Sequence, residues 1–210
     1  EYKNLELGGC YHQAPMSYPA LLSWCEKKAE QFAPYITDTG NYIAAALSNH
    51  QKVVLEAQLG AMRDIDYGIF PYTSSSSTIS AYGPIGAGIP GTLPDHIVGV
   101  LKAYSTCVGA GPFTAEKAMP EKWMESLRKS GGEYGAATGR PRRVGPFDAV
   151  ASAYGLKCQN ADKIALTKLD VLSRMDEIPV ITAYKLNDEL ITEFDPLDDL
   201  DSMTPVIQTL

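Results

Sequence analysis

Apolar positions recur at helical spacing in four stretches of the chain. Over 17–33, Leu21, Leu22, Cys25, Ala29 and Phe32 fall on one face, and Lys27, Lys28, Glu30 and Gln31 fall on the other. That spacing predicts a helix, with Ser17 as its cap and Pro19 in its first turn. A second helix is expected near 39–49 on the stripe Ile43, Ala46 and Leu47. Trp123, Met124 and Leu127 predict a helix or broken helix over 116–129, stopped by Gly131-Gly132. Ala149, Val150 and Ala153 predict a further helix over 148–155.

Between these stretches lie short apolar, β-branched runs. Residues 53–55, 97–106 and 164–166 read as buried strands, the first of them parallel. Residues 178–186 read as a final strand with a hairpin-like Asn187-Asp188 after it. Residues 1–16 are expected to be irregular, 94–96 a short turn, and the acidic segment 188–201 a solvated face. The stretch 83–91 holds four glycines, but its spacing is G-x-x-G-x-G with no fitting strand before it or helix after it, so it reads as a loop and not as a dinucleotide fingerprint. Helices alternating with strands give an α/β class with a mostly parallel sheet flanked by helices.

Composition narrows the function classes. The net charge of −7 leaves no basic excess to neutralise a nucleic-acid polymer. No apolar run approaches the roughly 20 residues of a membrane helix. The four cysteines form no C-x-x-C pair and the three histidines are isolated, which argues against zinc. Scattered cysteines in a Cys-poor chain read as reduced thiols of a cytoplasmic protein. The chain opens on Glu-Tyr-Lys without an initiator Met or a signal peptide, so it is expected to be a fragment.

The chemistry concentrates at 134–148, YGAATGRPRRVGPFD. Gly135 and Gly139 permit close approach of the backbone to a ligand, and Pro141 restrains φ between two arginines. Arg140, Arg142 and Arg143 supply guanidinium forks that meet carboxylate or phosphate oxygens two at a time. From composition alone, an anion-binding loop and a solvated basic loop are equally good readings. A second candidate is the hydroxyl-rich DIDYGIFPYTSSSS at 64–77, suited to cradling a phosphate. A third is Thr167-Lys168-Leu169-Asp170 at the carboxyl end of a predicted strand, where ligands of open α/β sheets gather.

The string TGRPRR followed by G-x-x-D resembles the aspartate-binding loop of the adenylosuccinate synthetase family. VVLEAQLGAMRDIDYGIFPYTSSSST at 53–78, LKAYSTCVGAGPF at 101–113, LTKLDVL at 166–172 and AYKL at 183–186 resemble the same family in the same order. The resemblance implies a fold like that of P-loop nucleotide hydrolases, of which this chain is the central portion. It implies a ligase of purine biosynthesis that uses GTP and Mg2+ to join IMP and L-aspartate into adenylosuccinate, as a homodimer. Ser74, Val108 and Arg140 are then expected at IMP, with Gln58 or Leu59 as candidates at the purine edge. Ala136, Ala137, Thr138, Gly139, Arg140, Pro141 and Arg142 are expected to hold L-aspartate, and Arg142, Lys168, Leu169 and Asp170 to hold GTP. An Asp at 170 would accept from N1–H and the 2-amino group of guanine.

The chain also departs from the family pattern. The family turn Glu-Gly-Ala-Gln-Gly is here Glu56-Ala57-Gln58-Leu59-Gly60, so that Leu59 falls on the glutamine. Ser77 stands on a family asparagine, and Cys107 stands where an arginine is usual, an expected loss of one positive charge near the site. The string G-D-E-G-K-G-K, which in the family carries the catalytic base and a magnesium ligand, is not in these 210 residues. No catalytic residue and no metal ligand is therefore expected in this stretch, and it is expected to be inactive by itself. The alternatives are a divergent synthetase acting on another purine monophosphate such as dGMP, and a non-catalytic nucleotide-binding or partner-binding module.

Overall fold

Ser17 does cap a helix, its hydroxyl accepting from Ala20 N, and Pro19 lies in the first turn as its fixed φ favours. The computed structural model describes residues 1–210 except Gln58, Ala137 and Arg174. The chain divides into two units, Glu1–Val53 and Val54–Leu210.

The first unit is helical. It contains α1 (Tyr2–Gly9), α2 (Tyr18–Phe32), a 3-10 turn (Ala33–Tyr35) and α3 (Thr39–Ser48). The side chain of Asp38 starts α3 by accepting from Asn41 N at 3.0 Å. The irregular reading of 1–16 is corrected by α1. Its two glycines lie at the end of the helix, where they interrupt nothing, and the Asn4 side chain ties it to both backbone groups of Met16.

The second unit carries α/β structure. Its helices are α4 (Tyr82–Gly86), α5 (Glu121–Gly131), α6 (Ala149–Gln159) and α7 (Leu169–Leu172), with 3-10 turns at Ala61–Arg63 and Thr114–Lys117. Its strands are β1 (Val98–Lys102), β2 (Ser105–Cys107), β3 (Arg143–Gly145), β4 (Phe147–Asp148), β5 (Lys163–Thr167), β6 (Pro179–Leu186), β7 (Glu189–Ile191) and β8 (Thr204–Thr209). β1 pairs with β5 and β4 with β6, both parallel, while β2–β3, β6–β7 and β6–β8 are antiparallel. One core gathers Ile181 and Tyr184 of β6 with Val150 of α6, Leu200 and Met203. The other gathers Leu127 of α5 with Tyr104, Val144 and Leu172.

Several expectations are corrected. Residues 53–55 form no strand, and Val54 is 90% exposed. A β-branched run becomes a strand only where a ladder partner lies alongside, and none of the described strands pairs with it. The stretch 97–106 is two strands in two sheets, broken at Ala103-Tyr104, where the Tyr104 side chain turns into the second core. Neither β1 nor β5 is buried, since Val100, Ile164 and Leu166 are exposed. A single helical turn, α4, occupies part of the expected glycine loop. β6 is not the last strand: Asn187 and Asp188, both at positive φ, close its hairpin to β7, and β8 follows. The acidic segment is largely exposed, yet it sends Leu200 into the core.

Candidate functional site

The serine-rich loop is organised by one buried carboxylate. Asp64 accepts from Asp66 N at 2.9 Å, Tyr67 N at 3.0 Å and Thr78 N at 2.5 Å, with the Ser77 hydroxyl at 3.4 Å. Burial works against its charge, but donation from Thr78, Asp66, Tyr67 and Ser77 outweighs that and holds its carboxyl below the usual range. Gly68 passes so close to Asp64 O that a Cβ there would collide with it. The far end of the loop is pinned to α6, where Gln159 accepts from Ser80 N at 2.6 Å and donates to Thr78 O at 3.1 Å. Within this frame Ser74 donates to Ser76 O at 3.0 Å and accepts from Ser76 N at 3.1 Å, so its hydroxyl closes a tight turn. Leu59 adopts φ +65° and is 60% exposed. Gln58, its rival for the purine edge, lies outside the described residues.

Arg63 joins this loop to the next. Its guanidinium donates to Tyr72 O at 2.5 Å, Ala110 O at 3.0 Å, Cys107 Sγ at 2.8 Å and Val108 O at 3.3 Å. Cys107 brings no charge of its own, and a guanidinium from another segment sits against its sulfur. Val108 itself is 69% exposed on this loop.

Cys107 pairs with Arg143 across the β2–β3 ladder, which sets the Val108 loop beside the arginine loop. Arg143 reinforces that contact. It donates to Gly111 O at 2.7 Å and Gly109 O at 3.3 Å, and it forms a two-point ion pair with Glu116. Its side chain also lies over the ring of Phe113. Of the three arginines in the motif, Arg143 is therefore committed to structure.

The arginine loop is a closed turn. Gly135 N donates to Arg140 O and Gly139 N to Gly135 O, both at 2.8 Å, and Arg142 N donates to Glu133 O at 2.9 Å. Gly139 sits at φ +65°, the left-handed region that glycine occupies without steric cost. Thr138 accepts from Arg140 N at 3.4 Å. Arg140 is exposed, and among the described residues its guanidinium has no hydrogen-bond partner. Ala136 is exposed beside it, and Ala137 lies outside the described residues.

Arg142 turns the other way, toward Glu133. That carboxylate is 3% exposed and accepts from Lys102 Nζ at 2.6 Å, Tyr104 Oη at 2.6 Å and Arg142 Nη1 at 3.3 Å. Burial penalises the charge of Glu133, yet Lys102, Tyr104 and Arg142 outweigh it and lower its pKa. The same burial, with Glu133 alongside, pushes the Tyr104 phenol up. Arg142 Nε is buried without a partner among the described residues. Behind the loop a cavity of about 360 Å³ is lined by Glu116, Glu121, Arg128, Arg142 and Arg143.

Lys102 connects this cluster to the 167–170 turn. It ends β1 opposite Thr167, the last residue of β5, and Thr167 Oγ1 donates to Leu101 O at 2.9 Å. Lys168 follows at φ +63°, and its Nζ donates to Gly131 O at 3.3 Å, next to the start of the arginine loop. Gly131 must lack a side chain, since a Cβ would lie 2.5 Å from Tyr104 Oη. Asp170 lies in the first turn of α7, and Leu169 and Asp170 are exposed. Contacts thus run from Ser74 through Arg63 and Cys107 to Arg143, whose neighbour Arg142 meets Glu133, and Lys168 reaches Gly131 two residues before Glu133. Arg63, Lys102, Tyr104, Glu116 and Glu133 were not singled out in the sequence: the first three lie inside family-like strings that give them no role, and Glu116 and Glu133 are single charged residues without a spacing signal.

The family model for adenylosuccinate synthetase matches residues 1–210. The chain belongs to the adenylosuccinate synthetase family. It is 42% identical over 196 residues to adenylosuccinate synthetase of Sorangium cellulosum, covering 93% of this chain and 45% of that protein. It is 39% identical over 209 residues to the Carboxydothermus hydrogenoformans protein of the same name, covering 99% and 48%. The solved structure of fully ligated adenylosuccinate synthetase from Plasmodium falciparum superposes with a TM-score of 0.83 at 31% identity, over 100% of this chain and 50% of that one. The chain spans about half the length of the curated relatives it matches. The fold expectation is borne out: an α/β arrangement with parallel strand pairs flanked by helices.

Proposed function

We propose that this chain carries the ligand-holding loops of a GTP-dependent ligase that joins IMP and L-aspartate to form adenylosuccinate. The observation that carries the reading is the exposed guanidinium of Arg140, without a hydrogen-bond partner among the described residues, on a closed glycine turn linked through Glu133 and Lys102 to the Lys168–Asp170 turn. In this reading Thr138, Gly139, Arg140, Pro141 and the backbone of 136–142 receive the L-aspartate carboxylates. Arg140 also reaches the IMP ribose, beside Val108, and Ser74 receives the IMP phosphate once its hydroxyl leaves Ser76. Lys168 lies along the guanine, Asp170 accepts from N1–H and the 2-amino group, and Arg142 stands between the nucleotide and L-aspartate.

Mg2+ is the metal such a reaction uses to neutralise phosphate charge. Among the described residues no three His, Cys, Asp or Glu side chains gather as a metal site, so no step is assigned to it here. The base and acid of the reaction are likewise assigned to no residue of this stretch, which binds without turnover when isolated. We extend the proposal to a cytoplasmic homodimer. No helix among the described residues is long and apolar enough to cross a membrane.

Leu59 favours a second reading. An exposed leucine where the family reads the purine with an amide leaves room for a base other than hypoxanthine, such as that of dGMP. Assaying the natural protein with IMP and dGMP as competing substrates, with GTP and L-aspartate, tests both readings. Adenylosuccinate as the dominant product supports the first, and preferential use of dGMP supports the second.

A further inference from the structure

A guanidinium offers its donors in a fixed planar fork, so an arginine whose four terminal N–H groups are all engaged holds the acceptors in one geometry. Arg63 is in that position. Nη1 takes Tyr72 O and Ala110 O, and Nη2 takes Cys107 Sγ and Val108 O. The acceptors belong to two loops far apart in sequence. Arg63 also fixes the first loop through its backbone, since Ser74 N donates to Arg63 O at 2.8 Å. Gly111 meets the ring of Tyr72 so closely that a Cβ would collide with it, so the two loops touch directly beside the clamp. Ser74 and Val108 lie on these two loops, one on each.

We infer that Arg63 is a positioning residue for nucleoside monophosphate binding. It sets the distance between the hydroxyl group that receives the phosphate and the backbone that meets the ribose. It touches no reacting atom. The inference rests on the proposed placement of the monophosphate at Ser74 and Val108, and it gives a role to a residue that the string at 53–78 contains without one. Cys107 is part of the device: its small sulfur accepts from the fork and leaves room for it, where a long basic side chain would compete for the same space.

The test uses the natural protein and three forms: wild type, Arg63→Leu and Arg63→Lys. Calorimetry measures IMP and GTP binding separately, and amide hydrogen exchange is followed over 72–76 and 107–111 without nucleotide. Arg63→Leu is expected to weaken IMP by roughly 10- to 100-fold, the cost of a small misplacement of binding groups, with GTP affinity within about twofold. Exchange is expected to rise together in both loops. Arg63→Lys keeps the charge but loses the fork, and is expected to weaken IMP nearly as much. Equal weakening of IMP and GTP in Arg63→Leu, wild-type affinity in Arg63→Lys, or faster exchange in one loop only would each overturn the inference. If wild type fails to bind IMP while both loops still respond together, the clamp stands and the placement of the monophosphate falls.

Discussion

Arg142 Nη1 donates to Glu133 Oε2 at 3.3 Å, and Glu133 in turn holds Lys102 at 2.6 Å. One buried carboxylate thus sets both the root of the arginine loop and the end of β1, beside the turn proposed to read guanine. Removing it leaves Lys102, Arg142 and the Tyr104 hydroxyl without their shared acceptor. Glu133→Ala is expected to destabilise the protein by about 1–3 kcal/mol, the usual cost of losing a buried hydrogen-bond partner, since Lys102 and Arg142 are about a third exposed and water screens the charges left behind. Glu133→Gln, which keeps two polar atoms in place, is expected to lose less. Urea unfolding of the two variants checks this, and equal losses would reject the charge argument.

Acid should act through the same group. Glu133 and Asp64 both have lowered pKa values in the folded protein. A carboxyl lowered on folding adds stability above its unfolded pKa of about 4, and that stability is lost as pH falls through the folded value. The urea midpoint is therefore expected to be flat from pH 7 to about 5 and to fall below about 4. Asp64→Asn should be less stable at pH 7 and show a shallower fall.

Asp148 behaves in the opposite sense. Burial pushes its carboxyl up, despite bonds from Ala151 N at 3.0 Å and Tyr184 Oη at 2.7 Å. A raised carboxyl pKa means that the charged form is disfavoured in the folded state, so its contribution to stability is lost as pH rises through that value. Asn can still cap α6 and meet the Tyr184 hydroxyl. Asp148→Asn is expected to lie within about 1 kcal/mol of wild type at pH 7, against the 1–3 kcal/mol usual for a buried hydrogen-bond partner lost outright, and calorimetric Tm values decide it.

Much of this arrangement was legible in the chain, where a local rule governs the outcome. Ser17 and Pro19 start α2 and Gly132 stops α5 by local chemistry, and TKLD falls at a strand end as read. What escaped depends on distant partners. Residues 53–55 look like any buried strand, and only the absence of a ladder among the described strands separates them. Glu133 and Arg63 are ordinary charged residues until the fold brings acceptors and donors around them. Leu200 hides in an acidic run because a single apolar residue leaves no period.

In the proposed reading, guanine selection rests on Asp170. A carboxylate accepts from both N1–H and the 2-amino group, whereas an amide offers one donor and one acceptor and so matches the 2-oxo group of xanthine. Asp170→Asn in the natural protein is expected to reduce turnover with GTP by at least about tenfold and to raise turnover with XTP. Comparing kcat/KM for the two nucleotides checks it. Unchanged preference for GTP would remove Asp170 from the base-reading role.

The most direct test of the account is product formation from IMP, GTP and L-aspartate by the natural protein, wild type against Arg140→Ala. Arg140 is exposed and has no hydrogen-bond partner among the described residues, so its loss should leave Tm unchanged. The account predicts adenylosuccinate from wild type only when all three substrates are present. It predicts an L-aspartate KM raised roughly 10- to 100-fold in the variant, as expected for losing a charge-assisted hydrogen bond. No adenylosuccinate from wild type, or an L-aspartate KM unmoved by Arg140→Ala, would contradict it.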